Sequence, residues 1–304
     1  MTPSSVRKAF NVALATSLVH LYPPKHHTRA LRILDDVLSE DPNNVNCLMG
    51  RGYVLQRAGK WLEAASCFSR VSDGHPEETR DSIRAQEEHA WCQVQLKQID
   101  MAITELRIVI ELLENEKDSD EDKSRCWWRL GRAYWEMGGG SVLYLSRHIS
   151  KRFIADHREE AFKHFITSLK HSSSFASAFT SLGIYYSEAA NPLDPIRASK
   201  CFQKAFELDA REGDAARRLA EGFAEEREWD LVEVIANRTI EGEGGFESSQ
   251  EIMAGRYLPV NAWAWKASGV VHLVGFLSLI KHPRWANTRG RTGGVYLLQY
   301  RLFR

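Results

Sequence analysis

The sequence predicts an all-α protein, a superhelical solenoid of antiparallel helix pairs that ends in an irregular tail. Three observations carry that prediction. Small, apolar and proline residues recur 34 positions apart, with Ala30, Leu34, Val37 and Pro42 matched by Ala64, Phe68, Val71 and Pro76. Trp127, Leu130, Gly131 and Tyr134 spell W-x-x-L-G-x-x-Y, and Phe179, Leu182, Gly183 and Tyr186 repeat it with Phe in front. Ala198, Phe202 and Ala205 supply the A-x-x-x-F-x-x-A of a second helix.

Each element has a physical reason. Large residues three or four apart make one apolar stripe on a helix, so two such helices zip together. The small residues Gly52, Ala64, Gly131, Gly183 and Ala198 are expected where helix axes cross closely. Pro42 and Pro76 stop the second helices, because proline lacks the N–H that the next turn requires. No pair can bury its whole apolar face alone, so neighbours must stack. A helix–turn–helix unit of 34 residues with these signatures resembles the tetratricopeptide repeat (TPR).

The register predicts about six and a half repeats over residues 1–280. They lie near 11–44, 45–78, 83–116, 124–175, 176–212 and 213–241, with a partial repeat at 262–280. Repeat three is degenerate in its first helix but keeps Ala102, Leu106 and Val109, and an acidic linker, Asn115 to Lys123, follows it. Repeat four carries an insertion at 138–156, so its second helix, marked by Ala161, Phe165 and Leu169, arrives late. Residues 281–304 form a basic tail with neither helical period nor repeat register.

The whole chain holds 40 Lys+Arg and 40 Asp+Glu in 304 residues, which argues against binding polyanions through net charge alone. The balance is uneven along the chain. The tail holds six basic residues and no acidic one, leaving residues 1–280 with 34 basic against 40 acidic. Five cysteines at long spacings fit reduced thiols of an intracellular protein rather than a disulfide framework or zinc module. Residues 6–22 read as an amphipathic helix in preference to a targeting peptide, since Asn11 and His20 interrupt the run and Pro23-Pro24 end it. The most apolar stretch, Val270 to Ile280, is well short of the roughly 20 residues that span a bilayer. A soluble, intracellular protein is expected.

No catalytic constellation is present. There is no G-x-S-x-G elbow and no G-x-x-x-x-G-K-[ST] phosphate loop. The pairs His26-His27 and His164/His171 lack a third ligand at metal spacing. No enzyme activity, cofactor or metal is therefore expected. A binding surface is. First-helix positions 2, 5, 9 and 12 of repeat four are Arg125, Trp128, Arg132 and Trp135, two cations interleaved with two indoles. Such a stripe suits an acidic or aromatic peptide segment. At the places where chaperone-binding TPRs carry their clamp, this chain offers Met49, Tyr53, Glu88, Arg125 and Arg129. Only the two arginines suit that task, which disfavours a chaperone-tail receptor.

The wording of the second half is more specific. The stretch FTSLGIYYSEAANPLDPIRASKCFQKAFELDAREGDAARRLAEGF, followed by RYLPVNAWAWKA, resembles the large TPR scaffold of the fungal superkiller complex. The resemblance covers about residues 30–272 and is most specific over 162–266. It implies a non-catalytic scaffold that holds RNA helicase and WD-repeat subunits together. That assembly feeds mRNA to the cytoplasmic exosome for 3′-to-5′ decay. The insertion and the tail depart from the family pattern and read as unspliced intron or shifted frame. Alternatives are a generic TPR adaptor in a cell-cycle ubiquitin ligase or transport assembly, or the TPR arm of a glycosyltransferase.

Overall fold

The computed structural model describes residues 3–74, 79–114, 116, 119–139, 151–244 and 261–280, with side chains described over 6–74, 79–114, 116, 119–138, 154–244 and 261–271. Thirteen α-helices and no strand lie among the described residues. In chain order they are α1 (Pro3–His20), α2 (His27–Glu40), α3 (Val45–Arg57), α4 (Trp61–Gly74), α5 (Arg80–Gln95), α6 (Ile99–Glu114), α7 (Asp120–Gly139), α8 (Lys151–His171), α9 (Ala176–Glu188), α10 (Pro195–Leu208), α11 (Gly213–Glu225), α12 (Trp229–Gly242) and α13 (Ala262–Ile280). They fall into two compact units, Met1–Asp194 and Pro195–Arg304.

In the first unit, helix hairpins stack through shared cores. One core joins Ala15, Leu18 and Val19 of α1 to Leu34 and Val37 of α2 and to Cys47 and Val54 of α3. The next joins Leu48 and Leu55 of α3 to Phe68 and Val71 of α4 and to Ala85 and Cys92 of α5. A third joins Val94 of α5 to Leu106, Val109 and Leu113 of α6 and to Cys126, Leu130 and Ala133 of α7. Helices α3 and α5 each serve two cores. That sharing is how a solenoid buries apolar faces that no single pair can cover.

The small residues sit at the close crossings that the repeat pattern assigns them. A Cβ added to Gly52 would lie 2.4 Å from the Phe68 ring. One added to Gly131 would lie 2.6 Å from Phe165 and 3.1 Å from the Ala161 carbonyl oxygen. Ser168 Oγ closes the α7–α8 crossing by donating to the Ser124 carbonyl at 2.7 Å. Asn44 and Thr79 cap α3 and α5, their side-chain oxygens accepting from the backbone N–H groups of Cys47 and Ser82 at 3.2 Å.

One turn recurs. Between α3 and α4 the chain goes left-handed at Gly59 (φ 73°), between α5 and α6 at Lys97 (φ 64°), and between α11 and α12 at Arg227 (φ 64°). In each, the N–H of the following residue reaches back five residues, as Lys60 to Leu55, Gln98 to Gln93 and Glu228 to Phe223. This closes a helix end whose carbonyls would otherwise lack donors.

Several elements differ from their sequence pattern. The degenerate α5 is a regular helix, and its apolar period fails because Glu87 and Glu88, each 1% exposed, occupy core-facing positions. Residues 151–156, counted with the insertion, are the opening turns of α8, while 140–150 and the tail 281–304 lie outside the described residues. The N-terminal run forms α1 and packs on α2, where His27 Nε2 lies 3.1 Å from the Val19 carbonyl oxygen. Four of the five cysteines are buried and all five are free thiols. Among the described residues, no helix is long and apolar enough to cross a membrane. In the second unit α10 packs on α11, α11 on α12 and α12 on α13, with Trp265 of α13 buried against Ala236 and Ile240 of α12.

Candidate functional site: the α7 face

Helix α7 presents all four residues of the predicted stripe, each half-buried, but the fold uses them differently. Arg125 points toward α5 and grips Glu87 with two hydrogen bonds of 2.8 Å, while its other contact is Asp122 one turn earlier. The Trp128 indole N–H donates to Ser181 Oγ of α9 at 2.9 Å. Its ring packs between Trp91 of α5 and Phe175, with centroids at 5.4 and 5.7 Å. Farther along α7, Arg132 reaches Glu136 at 3.5 Å, and Lys97 approaches the same carboxylate at 2.6 Å. The Arg158 guanidinium of α8 lies 4.8 Å over the Trp135 ring, a cation–π contact.

Beneath the stripe runs a buried ionic network. Arg129, 7% exposed, pairs with Glu87 at 3.0 Å and Glu88 at 2.9 Å. Arg84 pairs with Glu88 at 2.9 Å and donates to the Tyr53 hydroxyl at 3.1 Å. Gln56 of α3 donates to Glu88 at 3.1 Å. The network thus ties α3, α5 and α7 side by side. Burial pushes the Glu87 carboxyl up to about 7, against the pull of Arg129 and Arg84. Burial acts the same way on Glu88, but Arg129 and Arg84 outweigh it and hold that carboxyl low. Burial also lifts the Tyr53 hydroxyl to about 12. Three carboxylates, those of Glu87, Glu88 and Asp122, with three arginines hold the helices in register, since a buried charge left unpaired is strongly unfavourable.

Three of the five clamp positions, Tyr53, Glu88 and Arg129, are therefore occupied with one another or with Arg84. Sequence reasoning noticed Glu88 only as a residue unsuited to a clamp and did not anticipate Glu87, Arg84, Lys97 or Arg158. An available signal was the pair of adjacent acids inside a helix whose apolar period failed. Near the other histidines, His164 stacks on Trp127 and Tyr134 at 5.3 and 5.1 Å. Burial lowers it to about 4. Among the described residues, no group of three His, Cys, Asp or Glu side chains is placed to hold a metal ion.

Stacked helix hairpins with glycine–phenylalanine crossings make this chain a tetratricopeptide-repeat protein. A thermophilic TPR protein of Thermus thermophilus superimposes with a TM-score of 0.50, covering 70% of this chain and 98% of that one at 14% identity. No family model matches the sequence. Among curated proteins the chain is similar to Superkiller protein 3 of Schizosaccharomyces pombe, 32% identical over 233 residues and 77% of the chain. It is also similar to Superkiller protein 3 of Saccharomyces cerevisiae, 29% identical over 272 residues and 88% of the chain. The chain spans 15% and 17% of the lengths of these relatives. It is a Superkiller protein 3-like TPR protein.

Proposed function

We propose that the chain is a non-catalytic protein-interaction scaffold of the superkiller complex, assisting exosome-mediated 3′-to-5′ mRNA decay in the cytoplasm. The observation that carries this reading is the similarity to Superkiller protein 3, which extends over 77% of the chain. Stacked helix pairs support it, because such arrays offer a long rigid surface on which affinity comes from a few aromatic and arginine anchors. The partners in this reading are RNA helicase and WD-repeat subunits, with the α7 stripe of Arg125, Trp128, Arg132 and Trp135 as a contact face. Affinity capture from a fungal lysate tests it. Recovery of helicase and WD-propeller subunits is the expected result. Recovery of anaphase-complex subunits in their place would favour a general TPR adaptor instead.

A further inference from the structure

The first helices of the array share one small residue. Counted from the repeat starts, their third positions are Cys47, Ala85, Cys126, Ala178, Ala215 and Ala264, and each of these is 0% exposed. The cause is the second helix of the repeat before, which packs on this face. Cys47 shares a core with Leu34 and Val37 of α2, and Ala85 with Phe68 and Val71 of α4. Likewise Cys126 meets the core of Leu106 and Val109 of α6, and Ala264 that of Ala236 and Ile240 of α12. A larger side chain at this position would hold the two helices apart.

Helix α1 keeps the small residue without the cover. Its third position is Ala13, which is exposed among the described residues. Near it on the same side stand Val6, Phe10 and Leu21, all exposed, Phe10 to 65%. Positions 6, 10, 13, 17 and 21 lie three or four apart and so line one face of a helix, about 23 Å long at 1.5 Å per residue. A contiguous exposed apolar face of this kind marks an interaction surface. Its charge surroundings are one-sided. Residues 1–34 hold Arg7, Lys8, Lys25, Arg29 and Arg32 with no Asp or Glu, whereas residues 35–280 hold 29 basic against 40 acidic residues. Lys8 is paired with Asp41 of the following turn, and Arg7, next to Val6, is exposed.

We propose that this face of α1 docks an amphipathic helix with acidic flanks from a protein partner, which packs on Ala13 as the second helices pack on the third position of every later repeat. The inference goes beyond the superkiller reading, since it follows from the packing of the array whatever assembly the chain joins. An apolar stripe on the incoming helix covers Val6, Phe10 and Leu21, and its acidic flanks meet Arg7 and the acid-free start of the sequence. A second copy of this chain fits less well, because α2, α4, α6, α8, α10 and α12 each already pack against the first helix that follows. A lipid surface fits less well too, since it gains nothing from a small residue at Ala13, whereas close helix approach requires one.

The test uses the full chain and a labelled synthetic peptide with the sequence of α6, a second helix that carries Asp100, Glu105, Glu111 and Glu114 against Arg107 alone. Fluorescence anisotropy at low salt should show saturable binding. Phe10→Asp and Ala13→Arg in the chain should each weaken it about tenfold or more. Both positions are exposed in the free chain, so the melting temperatures should not change, which separates lost binding from lost folding. A peptide with Glu105, Glu111 and Glu114 replaced by lysine should bind about threefold or more weakly. Leu62→Ser, at an exposed apolar residue of α4, should change nothing. Absence of saturable binding, undiminished binding by both chain variants, or equal binding of the lysine peptide would each overturn the proposal. So would self-association of the chain, or binding to phosphatidylserine vesicles, that Phe10→Asp abolishes. Lysate capture of helicase and WD-propeller subunits without peptide binding would overturn this docking site alone. Peptide binding with capture of an unrelated assembly would overturn the superkiller reading alone.

Discussion

Arg129 is the residue on which the α5–α7 contact turns. It neutralises Glu87 and Glu88 together, and both carboxylates are almost wholly buried. Arg129→Met keeps the volume but removes one buried cation from the pair, leaving Glu87 to Arg125 and Glu88 to Arg84 and Gln56, so it should cost about 3–5 kcal/mol in urea unfolding. His89 offers a second single-residue expectation, on the same helix as the two acids but facing α6. Its Nδ1 lies 3.0 Å from both carboxylate oxygens of Glu105, and that hydrogen bond lifts the imidazole above its ordinary 6.5 despite burial. The folded state then binds the proton more tightly than the unfolded chain. The stabilisation is complete below 6.5 and disappears as pH rises through the raised folded value. Urea midpoints of the wild type, compared with Glu105→Gln, should lose their advantage over that interval. A pH-independent difference would contradict the assignment. Residues of this kind were poorly legible in the sequence. An acid inside a helix is normally read as a solvent-facing position, and nothing in local spacing says which arginine, 38 or 41 positions away, will neutralise it.

At the level of elements the sequence was far more explicit. A glycine at a crossing and a phenylalanine 16 or 34 positions on constrain each other sterically, and that constraint survives as a visible pattern. Gly52 and Phe68, like Gly131 and Phe165, meet as the motif demands. The expected consequence is non-additivity. Gly131→Leu should cost about 1–3 kcal/mol or more by forcing α7 off α8. Gly52→Ala should be costly beside Phe68 and much less so beside Phe68→Leu, giving a coupling of about 0.5–3 kcal/mol in a double-mutant cycle. Simple additivity would mean that the ring and the glycine do not share the crossing. The turns were less legible. Gly59 reads as a turn residue, but Lys97 and Arg227 adopt the same left-handed backbone without announcing it, since hydrogen bonds to the preceding helix impose it. The start of α8 was also missed. Its first turns lack the alanine–phenylalanine signature, which belongs to the crossing and not to the helix as such.

For the whole molecule, the two compact units predict separable folding. All three shared cores of α1 to α7 lie within residues 1–194, as do the ionic network and the α7–α8 crossing. A chain ending at Asp194 should therefore keep its helical circular dichroism and melt cooperatively, since repeat arrays are stabilised mainly by nearest neighbours. A fragment that stays unfolded would show that the first unit depends on the second. Composition also reads differently at this scale. The formal neutrality of the chain conceals an acidic array joined to a basic tail, so anionic ligands are to be sought on a local patch.

The seam between α3, α5 and α7 has a consequence for behaviour on warming. Hydration of charged groups becomes less favourable as temperature rises, so the cost of keeping ions buried falls, while apolar burial gains little more per unit area. The neighbouring seams, built from leucine, valine and phenylalanine, follow the apolar law; the glutamate–arginine seam follows the other. Heating therefore shifts relative strength toward the middle of the first unit. The last part of that unit to lose its order in a thermal ramp should be the pair of helices that looks least apolar in the sequence.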